Sequence, residues 1–249
     1  DDEQSLILDQ RLTNLLNRLE GMQHDNEDIE QLRIANARAL PLHQTLADLG
    51  DVTFGENWKT RLAQFNQTVE LVLPAHLVNV LRDYQIIGVK WLMQLANWGL
   101  NACLADDMGL GKTLQTLSVL QMRSHLGASL VVAPKSVCHN WQAEAERFAP
   151  ALNIKTIANA TICEEVLSTA SANDLVVISY GLLPLIGEQL SEFEFSNIVF
   201  DEAQAIKNPL SLRAKAAFAL NGHFKVALSG TPIENHLGEL WSLFNFLMP

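Results

Sequence analysis

Residues 104–113 read LADDMGLGKT, and the closing Gly111-Lys112-Thr113 is how a phosphate-binding loop ends. Glycines at 109 and 111 let the backbone bend so that successive N–H groups face phosphate oxygens. The N-terminus of a helix starting near Lys112 adds its partial positive charge. Met108, Gly109, Leu110, Gly111, Lys112, Thr113 and Leu114 are therefore expected to hold a nucleotide. Lys112 would reach the terminal phosphates and Thr113 would place its hydroxyl on Mg2+. The general loop, G-x-x-x-x-G-K-[ST], opens with glycine, and here that position is Asp106. The backbone does the cradling, so a side chain at the loop start is free to point away.

A second set of chemical groups follows in NIVFDEAQAIKNP, an apolar strand ending in Asp201-Glu202. A hydrolase of nucleotides needs one carboxylate at a strand tip to hold hydrated Mg2+, and a second to orient or deprotonate the attacking water. Asp201 takes the first role, opposite Thr113, and Glu202 the second. With Lys112 they form the expected catalytic set. Acids also favour a helix N-terminus, and DEAQ alone could be read that way; the loop upstream decides for chemistry. Ser229-Gly230-Thr231 end a further strand in VALSGTPIEN. Hydroxyls there can bond the acid pair and sense the γ-phosphate, although Gly230 and Pro232 are also ordinary turn residues. Gln85, in LRDYQ, carries a carboxamide whose donor and acceptor match an adenine edge, although a helical glutamine is commonly only solvated.

These groups need a frame. From about residue 73, six short apolar runs read as buried strands: 101–105, 129–133, 153–157, 175–179, 197–200 and 225–229. Helical patterns such as KTLQTLSVLQMRSHL and HNWQAEAERFA separate them. Such alternation predicts an α/β domain, a parallel sheet with helices on both faces and ligands beyond the carboxyl ends of the strands. Residues 1–72 read instead as an all-α segment. Leu8, Leu12, Leu15, Leu16 and Leu19 form one stripe between Ser5, a plausible N-cap, and Gly21; a second amphipathic stretch covers 28–40 and stops at Pro41.

Composition narrows the classes. Forty-eight per cent of the 249 residues are hydrophobic, enough for a full core. Three scattered cysteines with no C-x-x-C pair fit reduced thiols in an intracellular, soluble protein. No apolar run approaches the ~18 residues of a membrane span, and DDEQSLILDQ is acidic where a signal peptide is basic. No membrane partner is expected, and the missing initiating Met points to a piece of a longer protein. The net charge of −11 excludes bulk electrostatic attraction to nucleic acid, so any such contact must be local.

Taken together, LRDYQ, DDMGLGKT, VVAPKSVCHNW, DEAQAIKNP and SGTPIENHLGELWSLFNFLMP resemble the first RecA-like lobe of Swi/Snf-type ATPases, the DNA-translocating branch of helicase superfamily two. The likeness covers about residues 75–249, and DEAQ followed by KNP is similar to bacterial members. An acid at the loop start is usual in that family. The resemblance implies a RecA-like P-loop three-layer sandwich over 73–249 with a mostly parallel sheet, ATP and Mg2+ as cofactors, and ATP hydrolysis that drives movement along double-stranded DNA. Protein–DNA complexes would be remodelled by that movement. It also places Pro134, Lys135 and Ser136 of APKS, and Ser179-Tyr180, near the DNA backbone, where contacts position without reading sequence. A second RecA-like lobe of the same full-length protein would supply an arginine finger, worth ~10³–10⁵ in rate. The lobe alone is therefore expected to hydrolyse ATP hardly at all. Residues 1–72 are a candidate surface for a protein partner, and a bacterial protein of this kind would work in the cytoplasm at the nucleoid. Two other readings stay open: an RNA-directed or RNA-polymerase-associated motor of the same superfamily, and an ATP-binding interaction scaffold without motor activity.

Overall fold

The computed structural model of the chain describes residues 59, 60, 63, 72–230 and 237–248. The chain divides into two units, Asp1–Gln67 and Thr68–Pro249, and every element below belongs to the second. The helices expected near residues 5–21 and 28–40 lie outside the described residues.

All six expected apolar runs are strands of one sheet: β1 (Ala102–Leu104), β2 (Ser129–Ala133), β3 (Asn153–Thr156), β4 (Asp174–Ser179), β5 (Glu194–Phe200) and β6 (Asn221–Leu228). Their order is β1-β6-β5-β2-β4-β3, and every neighbouring pair is parallel. Among the described residues of this unit the α-helices are α1 (Ala75–Val78), α2 (Asp83–Asn97), α3 (Lys112–Met122), α4 (Cys138–Phe148), α5 (Cys163–Ser168), α6 (Leu183–Ser191), α7 (Leu212–Phe218) and α8 (Leu237–Leu247).

Strand alternation divides the core in two. Val131, Ala133, Val177, Val199, Val226 and Leu228 face one layer, which also holds Leu92 of α2, Leu117 of α3 and Trp141 of α4. Leu130, Val132, Ile178, Ile198, Phe200 and Ala227 face the other, with Leu167 of α5, Ile186 of α6, Ala214 of α7 and Phe246 of α8. A parallel sheet covered on both faces requires strands that are apolar without a polar side, and SLVVA of β2 is buried at every residue. Each Val or Leu so buried contributes about 1.5–3 kcal/mol. The result is the three-layer α/β sandwich expected from the sequence.

The register aligns the strand ends that matter. Leu104 pairs with Leu228, Phe200 with Ala227 and Val132 with Phe200. The carboxyl ends of β1, β6, β5 and β2 thus lie in one row. From β1 the chain passes β6 and β5 to reach β2, and in such sheets ligands bind beyond these carboxyl ends. Among the described residues no helix is long and apolar enough to cross a membrane.

Candidate functional site

The glycine loop leaves β1 and enters α3. Gly109 (φ +85) and Gly111 (φ +75) both occupy the left-handed region that side chains disfavour. A Cβ on Gly111 would lie 2.4 Å from Gln85 Nε2, whereas one on Gly109 would meet nothing within 4 Å. Gly111 is fixed by close packing, and Gly109 faces open space. Lys112 Nζ donates to the carbonyls of Asp106 (2.7 Å) and Asp107 (3.1 Å), so its ammonium folds back on its own loop. Met108 and Leu110 are exposed, while Leu114 is half-buried and packs against the core. Asp106 turns its carboxylate into the protein, where Oδ2 accepts from Gln115 Nε2 at 3.0 Å.

Gln85 is buried at the start of α2. Its Oε1 accepts the Arg82 N–H at 2.9 Å, which caps the helix, and its Nε2 donates to the Leu110 carbonyl at 3.1 Å. Tyr84 donates its hydroxyl to the same carbonyl at 3.2 Å. Both ends of the carboxamide expected to read adenine are engaged inside the protein, one of them on the loop itself.

Asp201 leaves β5 with its N–H on the Val132 carbonyl at 2.9 Å. Its Oδ2 accepts from Trp141 Nε1 at 2.8 Å, and its Oδ1 from the Glu202 N–H at 3.0 Å. Glu202 has φ +51, a left-handed conformation that costs a non-glycine residue about 1–3 kcal/mol. Glu202 Oε2 accepts from Gln204 Nε2 at 2.7 Å, and Gln204 Oε1 accepts from the Ser229 hydroxyl at 3.2 Å. A hydrogen-bonded chain therefore runs from the acid pair to the tip of β6. That tip adjoins the loop, since a Cβ on Gly230 would lie 3.1 Å from Met108 Cγ. Thr231 lies outside the described residues.

Burial pushes the Asp201 carboxyl above the usual carboxylate range; the Trp141 hydrogen bond pulls it back, and the neighbouring Glu202 charge raises it again. The charge of Lys112 also acts on Asp201, downward, so the loop and the acid pair share one electrostatic neighbourhood. Burial raises Glu144 too, with Asp201 adding to it.

Lys135 and Ser136 are exposed just past the end of β2, with Pro134 half-buried behind them. Ser179, half-buried, closes β4. Tyr180 departs from the expectation of a DNA contact. It is only 4% exposed, its ring lies against Phe200, and its hydroxyl donates to the Asp201 carbonyl at 2.8 Å. A phenol buried this way braces the acid pair and is unavailable to a nucleic-acid backbone. Its pKa rises well above the ordinary value, through burial first and then the charges of Asp201 and Glu202.

Three residues that motif reading did not assign join the site: Trp141, Gln115 and Gln204. The signal for Trp141 is a lone tryptophan early in an otherwise polar helix, at the position facing the sheet.

The donor set fits magnesium and a nucleotide. Among the described residues there is no cluster of three or more His, Cys, Asp or Glu. Mg2+ needs none, being commonly held by one or two carboxylates, waters and the phosphates themselves. Among the described residues Lys112 bonds only backbone carbonyls, which an anion can displace, and the glycine at 109 leaves room for one.

A parallel sheet covered on both faces, with a glycine–lysine loop after its edge strand and an acid pair two strands away, defines the RecA-like ATPase core. The chain belongs to the SNF2 family, the SNF2-related domain matching residues 84–249. It is 42% identical over 188 residues to the ISWI chromatin-remodeling complex ATPase CHR17 of Arabidopsis thaliana, covering 72% of this chain and 18% of the relative. It is 40% identical over 186 residues to the putative ATP-dependent helicase/translocase YwqA of Bacillus subtilis, covering 70% of this chain and 20% of that protein. The chain thus spans about a fifth of the length of these curated relatives. Among solved structures, the Sulfolobus solfataricus SWI2/SNF2 ATPase core in complex with dsDNA superposes with a TM-score of 0.62 at 39% identity, covering 74% of this chain and 38% of that one.

Proposed function

We propose that the chain is the first motor lobe of an ATP-dependent double-stranded-DNA translocase, one that couples Mg-ATP hydrolysis to movement on DNA and so remodels protein–DNA complexes. The observation that carries this reading is the chain Glu202–Gln204–Ser229, which joins the acid pair to the strand tip beside the glycine loop. Lys112 and the loop N–H groups from Met108 to Leu114 bind the phosphates, with Gln85 at the adenine side. Thr113 and Asp201 hold Mg2+, which when bound neutralises charge on the phosphates. Glu202 orients a water, or takes its proton, at the carboxylate oxygen that Gln204 does not engage. Ser229, Gly230 and Thr231 transmit the state of the site along β6.

DNA backbone contacts fall to Pro134, Lys135, Ser136 and Ser179 at the same edge of the sheet; DNA binding as such is supported by the Sulfolobus relative in complex with dsDNA. A second RecA-like lobe of the same protein completes the site, and the lobe alone turns over ATP very slowly. Residues 1–72, ahead of the lobe in the sequence, offer a surface to a protein partner. The protein works inside the cell, at the nucleoid if its host is bacterial.

The test is the ATP hydrolysis rate of the whole protein that carries this lobe, measured without polynucleotide and with duplex DNA, single-stranded DNA or duplex RNA, beside Glu202→Gln. Strong stimulation by duplex DNA that disappears in the variant is the expected result. Stimulation by RNA alone, or by no polynucleotide, would overturn the DNA half of the proposal and leave the ATP site standing.

A further inference from the structure

Gln115 is 0% exposed on α3, one turn beyond Lys112. Its Nε2 holds Asp106 Oδ2 at 3.0 Å, and its Oε1 is buried without a hydrogen-bond partner. A buried carbonyl left unpaired is costly. A leucine or methionine would fill the same volume without that cost, so packing alone does not explain a carboxamide here. Rotating the amide to relieve Oε1 would set it against the Asp106 carboxylate. The donor end therefore fixes the orientation, and the carbonyl end is accommodated by Gly88 of α2, where a Cβ would lie 1.9 Å from Oε1. α2 grips the far side of the loop too, through Tyr84 and Gln85 on the Leu110 carbonyl.

We infer that Gln115 is a positioning residue of the nucleotide site, holding the Asp106 carboxylate turned away from the phosphate-binding side of the loop and away from Lys112. The inference rests on the reading of this loop as a phosphate site. Asp106 stands where the general loop has a glycine, and its charge would repel a polyphosphate if the side chain swung outward. It would also compete for the ammonium of Lys112, which now bonds the backbone carbonyl of Asp106 and not its carboxylate. Gln115 removes both problems while leaving the backbone of the loop unchanged.

The experiment measures binding of a fluorescent ATP analogue with Mg2+ to the 249-residue chain, for wild type, Gln115→Met, Asp106→Asn and the double variant. Thermal unfolding is followed alongside. Methionine matches the length of glutamine and lacks the donor; Gln115→Asn, an amide one methylene short of reach, is the second variant should Gln115→Met fold poorly. A carboxylate released within several ångströms of the phosphates weakens binding about ten-fold or more. The loss is expected in Gln115→Met and absent in Gln115→Met/Asp106→Asn, which should match Asp106→Asn alone. In the whole protein the same change should raise KM for ATP and spare kcat. Wild-type affinity in Gln115→Met, or a double variant as weak as the single one, would overturn the inference while leaving the site intact. A wild-type chain and whole protein that bind no nucleotide would overturn the phosphate-site reading, and this inference with it.

Discussion

The indole Nε1 of Trp141 donates to Asp201 Oδ2 at 2.8 Å, joining two residues 60 positions apart in the chain. Trp141 is almost wholly buried, so the donor cannot turn away to solvent. It sits in the first turn of α4, whose start adjoins the exposed Lys135 and Ser136 at the end of β2. The first turn of α4 therefore lies between the proposed DNA-contacting segment and the acid proposed to hold Mg2+.

Trp141→Phe keeps most of the packing and deletes this donor. Burial already lifts the Asp201 carboxyl, and the Trp141 bond opposes that lift. Without it the carboxyl rises further, and the acid limb of the pH–rate profile of the whole protein should move to higher pH. Turnover near neutrality should fall about ten-fold, the scale of one lost hydrogen bond to a charged group. An acid limb that stays in place would mean that Trp141 serves packing alone.

Glu202→Gln should retain nucleotide binding and lose about 10²–10⁴ in hydrolysis, the range of a general base. Gln204→Ala and Ser229→Ala each cut the chain from Glu202 to β6 and should cost less, about ten-fold or below, because the acid remains. Their double variant should be no slower than the worse single one, since both break the same path. Additive losses in the steady-state rates would show two independent roles.

The two loop glycines should differ. Alanine at Gly109 or Gly111 takes on a left-handed backbone that costs about 1–2 kcal/mol. At Gly111 the new Cβ also meets Gln85 Nε2 at 2.4 Å and must displace the side chain that caps α2. Gly111→Ala should therefore lose nucleotide affinity well beyond Gly109→Ala, measured by the same fluorescent analogue. Equal losses would imply that strain alone governs the loop.

Much of this was legible in the sequence because it is local. Each strand announced itself as an apolar run, and the loop and acid pair are contiguous motifs at strand ends. What escaped depends on strand order, which periodicity does not contain. Gln204 meets Ser229 because β5 and β6 are neighbours, and Trp141 meets Asp201 because β2 lies beside β5. Tyr180 misled for the same reason. The resemblance placed Tyr180 by its position in the sequence, whereas the pairing of β4 with β2 sets its ring against Phe200. Gln115 belongs to no motif, and its burial on α3, with α2 approaching closely at Gly88, follows from helix packing that periodicity does not contain.

Away from the site, Asp174 supplies a test of the fold. Burial tends to raise its carboxyl, but Lys155 Nζ at 3.0 Å, the Ser171 N–H at 2.8 Å and Asn153 Nδ2 at 3.3 Å together hold it below the ordinary value of 3.8. A carboxyl depressed in the folded state stabilises the fold above its unfolded value, and that contribution is lost as pH falls through the folded value. These bonds fasten edge strand β3 to β4 at their start, where Asn153 pairs with Asp174. Asp174→Asn should lower unfolding stability by about 1–3 kcal/mol at pH 7, the cost of leaving charged donors unmatched. The difference from wild type should stay full down to the ordinary carboxylate range and shrink beneath it as Asp174 takes up its proton. Urea unfolding of both chains across that range measures it directly; a difference that does not change with pH would show that shape and not charge secures β3.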